Sequence, residues 1–411
     1  MDKGLAHSHI TGLGIDRTLS PIEGSGLYGM ELARQAASLF ADLITAKKTA
    51  GSILLITGPS GAGKTALAVG LSRELGTRVP FVRMSGSELF SAEIKTTELL
   101  QQALRRATLL RIREIKSVYE GEVTDIQVEE REDPLNNYRK TVARIDLRLK
   151  SAKGSQLVSL DPISSQEIAK QRITVGDVVH VETASGAIKK LGRCDAYASE
   201  FDIESTKYVP LPKGDVLTRK ETLQEMSLHE IDAANAFPRG TDAKAILGAV
   251  ARGRRFEVPA RVREEVNARV AKQIVSGAAE ITPGLLFIDE CHSLDEASLG
   301  FLVGAAGSSS SPAIVLATNR ELNTLPASLR RTALSVPVSA ASPEVMPAII
   351  RARGKSAGLD VSESVVDTLS SLAQSTSLRH ALSIMALAAL EGSLTPETIT
   401  ATSQVFSAPS Q

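Results

Sequence analysis

The chain has 411 residues, 43% of them hydrophobic, which exceeds the usual single domain and predicts two or three domains with substantial cores. Its 47 lysines and arginines balance 47 aspartates and glutamates, which excludes a globally basic nucleic-acid binder and confines any such contact to a local patch. The two cysteines, Cys194 and Cys291, match no metal-ligand spacing, so two buried thiols in a reducing compartment are expected.

In chain order, "MDKGLAHSHI" has no apolar signal core. No later segment offers the roughly 20 apolar residues of a membrane span, so a soluble intracellular protein is expected. Residues 27–50 set Leu32, Ala36, Leu39, Leu43 and Ala46 at helical spacing. "GSILLITG" then reads as a buried parallel strand, and "KTALAVGLSRELG" as a helix closed by Gly76. A second strand, "VPFVRM", and a helix from about Ser91 to Lys116 continue an α/β layer fold.

From Tyr119 the period becomes alternating. "YEGEVTDIQVEE" and "KTVARIDLRL" read as strands of a one-sided sheet, and "DVVHVET" with "AIKKLG" reads as a hairpin. "SLHEIDAANA" and "RVREEVNARVAKQIVSG" return to helix, followed by the buried strand "GLLFIDE". The expected organisation is an α/β core over 1–120 and 231–341, an inserted β domain over 121–230, and a helical domain over 342–411. "GSSSSP" at 307–312 is a low-complexity loop.

The stretch "GPSGAGKT" sits between a strand and a helix, where the loop Gly58, Pro59, Ser60, Gly61, Ala62 and Gly63 can wrap phosphates with its amides. Lys64 balances the outer phosphates, and the Thr65 hydroxyl can bind magnesium. At the end of "LLFIDE", Asp289 can hold magnesium through water while Glu290 deprotonates the attacking water. Asn319, closing "IVLATN", can hold that water, although a plain asparagine turn is an equal reading. Arg330, Arg331 and Arg379 each read as surface residues or as the positive charge that phosphoryl transfer requires. His7 and His9 read first as terminal surface residues.

The runs "HSHITGLGID", "GPSGAGKTALA", "GSELFSAEIKTTELL", "GRCDAYASEFD", "SLHEID" and "ITPGLLFIDE" resemble the eukaryotic RuvB-like AAA+ ATPases over about residues 7–400. "VYEGEVT" and "YVPLPKGDV" look more like the pontin branch than the reptin branch. The resemblance implies a P-loop AAA+ core with an inserted OB-like β-barrel and a C-terminal helical lid. It implies ATP and magnesium as cofactors, DNA helicase as the nominal activity, and hexameric or dodecameric rings of self with a reptin-like paralogue. It further implies chromatin-remodelling, transcription, DNA-repair and ribonucleoprotein-assembly partners, and a nuclear protein with a cytoplasmic pool.

Carried over by motif, Asn319 is the first sensor, Arg379 the second, and His7 and His9 the histidine pair near the nucleotide. The arginine finger falls on Arg331, with Arg330 open, because the family's "LLDR" is "SLRR" here. The stretch from "ATNR" to the finger is also shorter than in the family, which keeps an ATP-gated scaffold with little turnover as an alternative. The run "DECH" at 289–292 resembles the box of another helicase superfamily, a further alternative. Within the insert, Arg139, Lys140, Arg144, Arg148, Lys150 and Lys153 are candidate phosphate contacts, beside Tyr138, Tyr197, Phe201 and Tyr208 as stacking surfaces.

Overall fold

The computed structural model describes residues 7–16, 20–21, 24–46, 52–90, 94–133, 136–160, 168, 170–183, 186–197, 207–236, 257–308, 310–391 and 394–406. The chain divides into two compact units, one of Met1–Arg111 with Glu225–Gln411 and one of Ile112–Gln224. The change of period in the sequence places the corresponding edges at 121 and about 230.

In the first unit, helix α1 (Glu31–Thr45) precedes strand β1 (Ile53–Thr57), helix α2 (Lys64–Leu75), strand β2 (Phe81–Ser85) and helix α3 (Thr96–Arg106). The helix expected to run to Lys116 stops ten residues short of that, at Arg106, and strand β3 (Thr108–Asp133) begins two residues later. The reason is tertiary. Gly284 N–H donates to Ala107 O at 2.9 Å, and a Cβ on Gly284 would stand 2.5 Å from that oxygen. Only a glycine lets the chain pass there, and the contact draws "TLLRI" out of helix although its residues suit either state.

The second unit is antiparallel at its centre. β3 pairs with β4 (Asn136–Lys150) and β6 (Asp177–Glu182), β4 with β5 (Ser155–Leu160), and β6 with β7 (Ile188–Cys194). A short strand β8 (Tyr208–Val209) pairs parallel to β7, and β9 (Leu217–Ser227) also joins β3. Ile145, Leu147 and Leu149 of β4 are buried with Val123, Val158, Val179 and Val181. The alternate residues Arg144, Arg148 and Lys150 are exposed, the period-two pattern of a one-sided sheet. Arg144 pairs with Asp146 at 3.0 Å and Lys153 with Asp215 at 3.7 Å. The side chains of Tyr138, Arg139 and Lys140, and the whole of Phe201, lie outside the described residues.

The chain then forms α4 (Leu228–Ala236), α5 (Ala260–Val275), β10 (Ala279–Pro283), β11 (Leu285–Asp289), α6 (Glu296–Ala306), β12 (Ala313–Thr318), α7 (Ala327–Thr332) and β13 (Ala333–Pro337). Strand order in the main sheet is β13-β1-β12-β11-β2, every pairing parallel. Each central strand is apolar on both faces: Leu54 and Ile56 join the core with α1 and α2, while Ile53 and Leu55 join the core with α3 and α6. This explains their unbroken hydrophobic runs. Both cysteines are buried free thiols, as expected, and burial pushes Cys291 up to about 12.

Four helices follow: α8 (Met346–Ala357), α9 (Glu363–Ser375), α10 (Leu378–Ala388) and α11 (Pro396–Val405). They share a core of their own, including Ile350, Val365, Leu369, Ile384 and Ile399. Among the described residues, no helix is long and apolar enough to cross a membrane.

Candidate nucleotide site

Parallel strands bring their carboxyl ends to one edge of a sheet, and that edge is where ligands of open α/β sheets bind. Here it carries the glycine loop after β1, Asp289 at the end of β11, and Asn319 one residue past β12. The loop is tied to its neighbours by Gly58 N–H donating to Thr318 O at 3.3 Å and Val338 N–H donating to Thr57 O at 2.7 Å. A Cβ on Gly58 would lie 2.1 Å from Val338 O, so no side chain fits there.

A cavity of about 1000 Å³ opens at this edge. Its lining includes Ser60, Gly61, Ala62, Gly63, Lys64, Thr65, Asp289, Glu290, Asn319, Arg379, His7 and His9. Gly58 and Pro59 are not in the wall; their carbonyls accept from Lys64 Nζ at 2.8 and 2.7 Å and hold the ammonium inside the loop. Burial lowers the Lys64 pKa from its ordinary value, opposed chiefly by Asp289. Thr65 Oγ1 donates to Asp289 Oδ2 at 2.6 Å.

Glu290 sits in the left-handed region at φ 53°, uncommon for a residue with a side chain. Two contacts support it there. Its N–H donates to Asp289 Oδ1 at 3.0 Å, and Ser293 Oγ donates to its carbonyl at 2.5 Å. The result is an exposed carboxylate at the cavity wall, next to the half-buried Asp289.

Arg330 and Arg331 are elsewhere. Both lie exposed on the last turn of α7, and neither lines the cavity of its own chain.

The N-terminal segment runs along the same side. Ile10 and Leu13 are fully buried, and Arg34 of α1 donates Nε to Leu13 O at 2.7 Å while Glu74 accepts from Leu13 N–H at 3.3 Å. Gly26, at φ 77°, passes so close to His9 that a Cβ would come 2.0 Å from its carbonyl oxygen. These contacts fix His7 and His9 in the cavity wall. Burial, then Arg83, Arg353 and Arg379, hold His7 below its ordinary value, while burial, then Arg353 and His7, lower His9 to about 4.

His9 is therefore neutral at pH 7 in the folded protein, whereas its unfolded form takes a proton below about 6.5. Its contribution is complete above that pH and is lost as the pH falls toward 4. His9→Gln is expected to lose about 1 kcal/mol less than wild type between pH 7 and pH 5, after allowance for the solvent-facing part of the ring. Urea unfolding of both proteins at the two pH values checks this, and equal losses would count against it.

Tyr28, Arg83 and Arg353 are among the wall residues that sequence reading missed. Tyr28 and Arg353 carried no motif, although Arg353 reaches across to donate to Ser8 Oγ at 2.8 Å. Arg83 had a signal, a single charge within the apolar run "VPFVRM".

The donor set fits a nucleotide with a hard divalent cation. A loop of amides and a buried lysine suit phosphate oxygens, and Thr65 beside Asp289 offers oxygen ligands only. Among the described residues no three His, Cys, Asp or Glu side chains converge as a metal cage. That arrangement suits magnesium, which takes few protein ligands and completes its shell with water and phosphate.

A family model described as the TIP49 P-loop domain matches residues 4–339. RuvB-like helicase 1 of Emericella nidulans is 43% identical over 400 residues, covering 94% of this chain and 87% of that protein. RuvB-like protein 1 of Arabidopsis thaliana is 42% identical over 397 residues, covering 93% and 87%, and RuvB-like helicase 1 of Drosophila melanogaster is 41% identical over 394, covering 92% and 86%. The match sets aside the reading of "DECH" as another superfamily's box. The glycine loop, the acidic strand end and likeness along nearly the whole chain agree, and the protein belongs to the TIP49 family of RuvB-like helicases, P-loop enzymes that bind nucleotide.

Proposed function

We propose that the chain hydrolyses ATP with magnesium and works as a AAA+ ring that remodels or assembles larger complexes. The observation that carries this reading is the 2.6 Å hydrogen bond from Thr65 Oγ1 to Asp289 Oδ2, which joins the glycine loop to the acidic strand end across 224 residues of sequence. Bound magnesium supplies charge neutralisation and orientation of the terminal phosphoryl group. Lys64 and the loop amides bind the phosphates, and Thr65 and Asp289 hold the metal. Glu290 accepts a proton from the attacking water, and Asn319 orients that water as the first sensor. Arg379 adds positive charge from α10 as the second sensor, and His7 and His9 flank the nucleotide. Magnesium-dependent phosphate release, abolished by a chelator, tests the reading; nucleotide binding without release favours the scaffold alternative.

The exposed Arg331 supports a finger that acts on a neighbouring subunit, in a hexameric or dodecameric ring of self with a reptin-like paralogue. Mixing Arg331→Ala with Lys64→Ala chains is expected to restore part of the turnover each lacks, since some interfaces then pair two intact halves. Absence of restoration in proven mixed rings argues against it, and rescue by Arg330→Ala in place of Arg331→Ala moves the finger by one residue.

We read the second unit as an OB-like β-barrel arm and residues 342–411 as a helical lid, supported by their separate cores. The arm contacts nucleic acid weakly and client proteins at least as strongly. Arg111 Nε lies 2.7 Å from Glu225 Oε1, so the chain leaves and returns at nearly the same point. Replacing 112–224 by a short glycine-serine linker is expected to leave ATP affinity within about twofold, because among the described residues the whole cavity wall lies outside that segment. Nucleic-acid and partner binding should fall. Loss of ATP affinity in a variant that still folds would overturn the insertion reading. The family resemblance further supports roles in chromatin remodelling, transcription regulation, DNA repair and ribonucleoprotein assembly, in the nucleus with a cytoplasmic pool. Subunits that copurify from the chain's own cells, and the position of a fluorescent fusion there, test those assignments.

A further inference from the structure

Strand β2 carries one charge in the run Phe81-Val82-Arg83-Met84-Ser85. Among the described residues it is the edge strand of the parallel sheet and pairs with β11 alone, in a register that sets Arg83 opposite Phe287 and Ser85 opposite Asp289. Residues two apart in a strand share a face, so Arg83 and Asp289 belong to the same side of the sheet. That is the side packed by α1 and α2, with Phe287 in its core.

An arginine in such a place ordinarily pairs with a carboxylate or points into bulk solvent. Among the described residues Arg83 makes no hydrogen bond and no salt bridge, and it is exposed, yet it lines the same cavity as Lys64, Thr65 and Asp289. Glu88, the nearest carboxylate along the chain in that wall, accepts instead from Ser85 N–H at 3.1 Å. The guanidinium's five donors therefore remain available to a ligand, in a geometry that matches phosphate oxygens.

The cavity lining is of two kinds. Tyr28, Ile349, Leu382 and Met385 offer apolar surface suited to a base, whereas Lys64, Thr65 and Asp289 are the groups for the outer phosphates. His7 feels the charges of both Arg83 and Asp289: besides burial, that of Arg83 lowers its pKa and that of Asp289 raises it.

We infer that Arg83 binds the outermost phosphate of ATP from the β2 edge and so makes this site discriminate ATP from ADP, an inference that rests on the nucleotide site proposed above. Charge-assisted bonds from a guanidinium to the terminal phosphate have no counterpart in ADP, which lacks that group. Arg83 is thus a specificity residue supplied by the same subunit, distinct from a finger supplied across a ring.

The test uses the full chain with magnesium, titrated by calorimetry with ADP and with a non-hydrolysable ATP analogue. Arg83→Ala is expected to weaken the ATP analogue about tenfold, equivalent to about 1.4 kcal/mol, while ADP stays within about twofold. Arg83→Lys, which keeps the charge and loses the fork, should fall between. Equal weakening of both nucleotides, or no change in either, overturns the inference. Lys64→Ala separates the two levels: if it loses both nucleotides while Arg83→Ala changes neither, the site stands and the role of Arg83 falls. If Lys64→Ala binds both normally, the nucleotide site and this inference fall together.

Discussion

Glu290→Gln is expected to bind ATP within about twofold of wild type and to turn it over about 10²–10⁴-fold more slowly. A glutamine fills the same space but cannot accept the proton of the attacking water. The backbone at Glu290 is left-handed at φ 53°, held by main-chain contacts with Asp289 Oδ1 and Ser293 Oγ. Those contacts do not involve the carboxylate, so the substitution leaves them in place. Phosphate release measured beside nucleotide titration separates the two effects. Loss of binding equal to the loss of turnover would remove Glu290 from the role of base.

Lys64→Ala is expected to weaken ATP at least about a hundredfold, equivalent to about 2.7 kcal/mol. Lys64 is only 6% exposed and its ammonium is held by two loop carbonyls, so it stands preorganised where the phosphate charge accumulates. Alanine removes the charge and also takes the ammonium donor from the Gly58 and Pro59 carbonyls, leaving Pro59 O with the longer bond from Ala62 N–H at 3.4 Å. A direct structural cost is therefore expected beside the loss of affinity, and thermal unfolding of the variant measures it separately. Wild-type affinity in the variant would overturn the assignment of the nucleotide to this loop.

The motif residues were readable because their chemistry depends on local backbone. A glycine loop between a strand and a helix needs no distant partner to be recognised, and "LLFIDE" shows its acidic end and buried strand in one run. Helix faces were less readable. Leu32 and Leu39 have helical spacing, yet they are 77% and 52% exposed, while Ala33, Ala37, Phe40, Ala41 and Ile44 are buried. Two apolar stripes compete on α1, and only the close approach of the sheet and α2 decides which is covered; the small Ala33 and Ala37 permit that approach.

By itself the sequence determined the alternation of elements, the phosphate loop, the acidic strand end and the change to a β-rich insert, since each is a pattern over a few neighbouring residues. The tertiary structure alone decided where α3 yields to β3, because Gly284 and Ala107, far apart in the chain, meet in a contact that no local period reports. It alone brought Arg83, Arg353 and Tyr28 into the wall with Lys64. It also kept Arg330 and Arg331 out of that wall. Strand order and helix packing set those distances, and side chains far apart in sequence acquire a shared function only when a sheet edge brings their charges into one cavity.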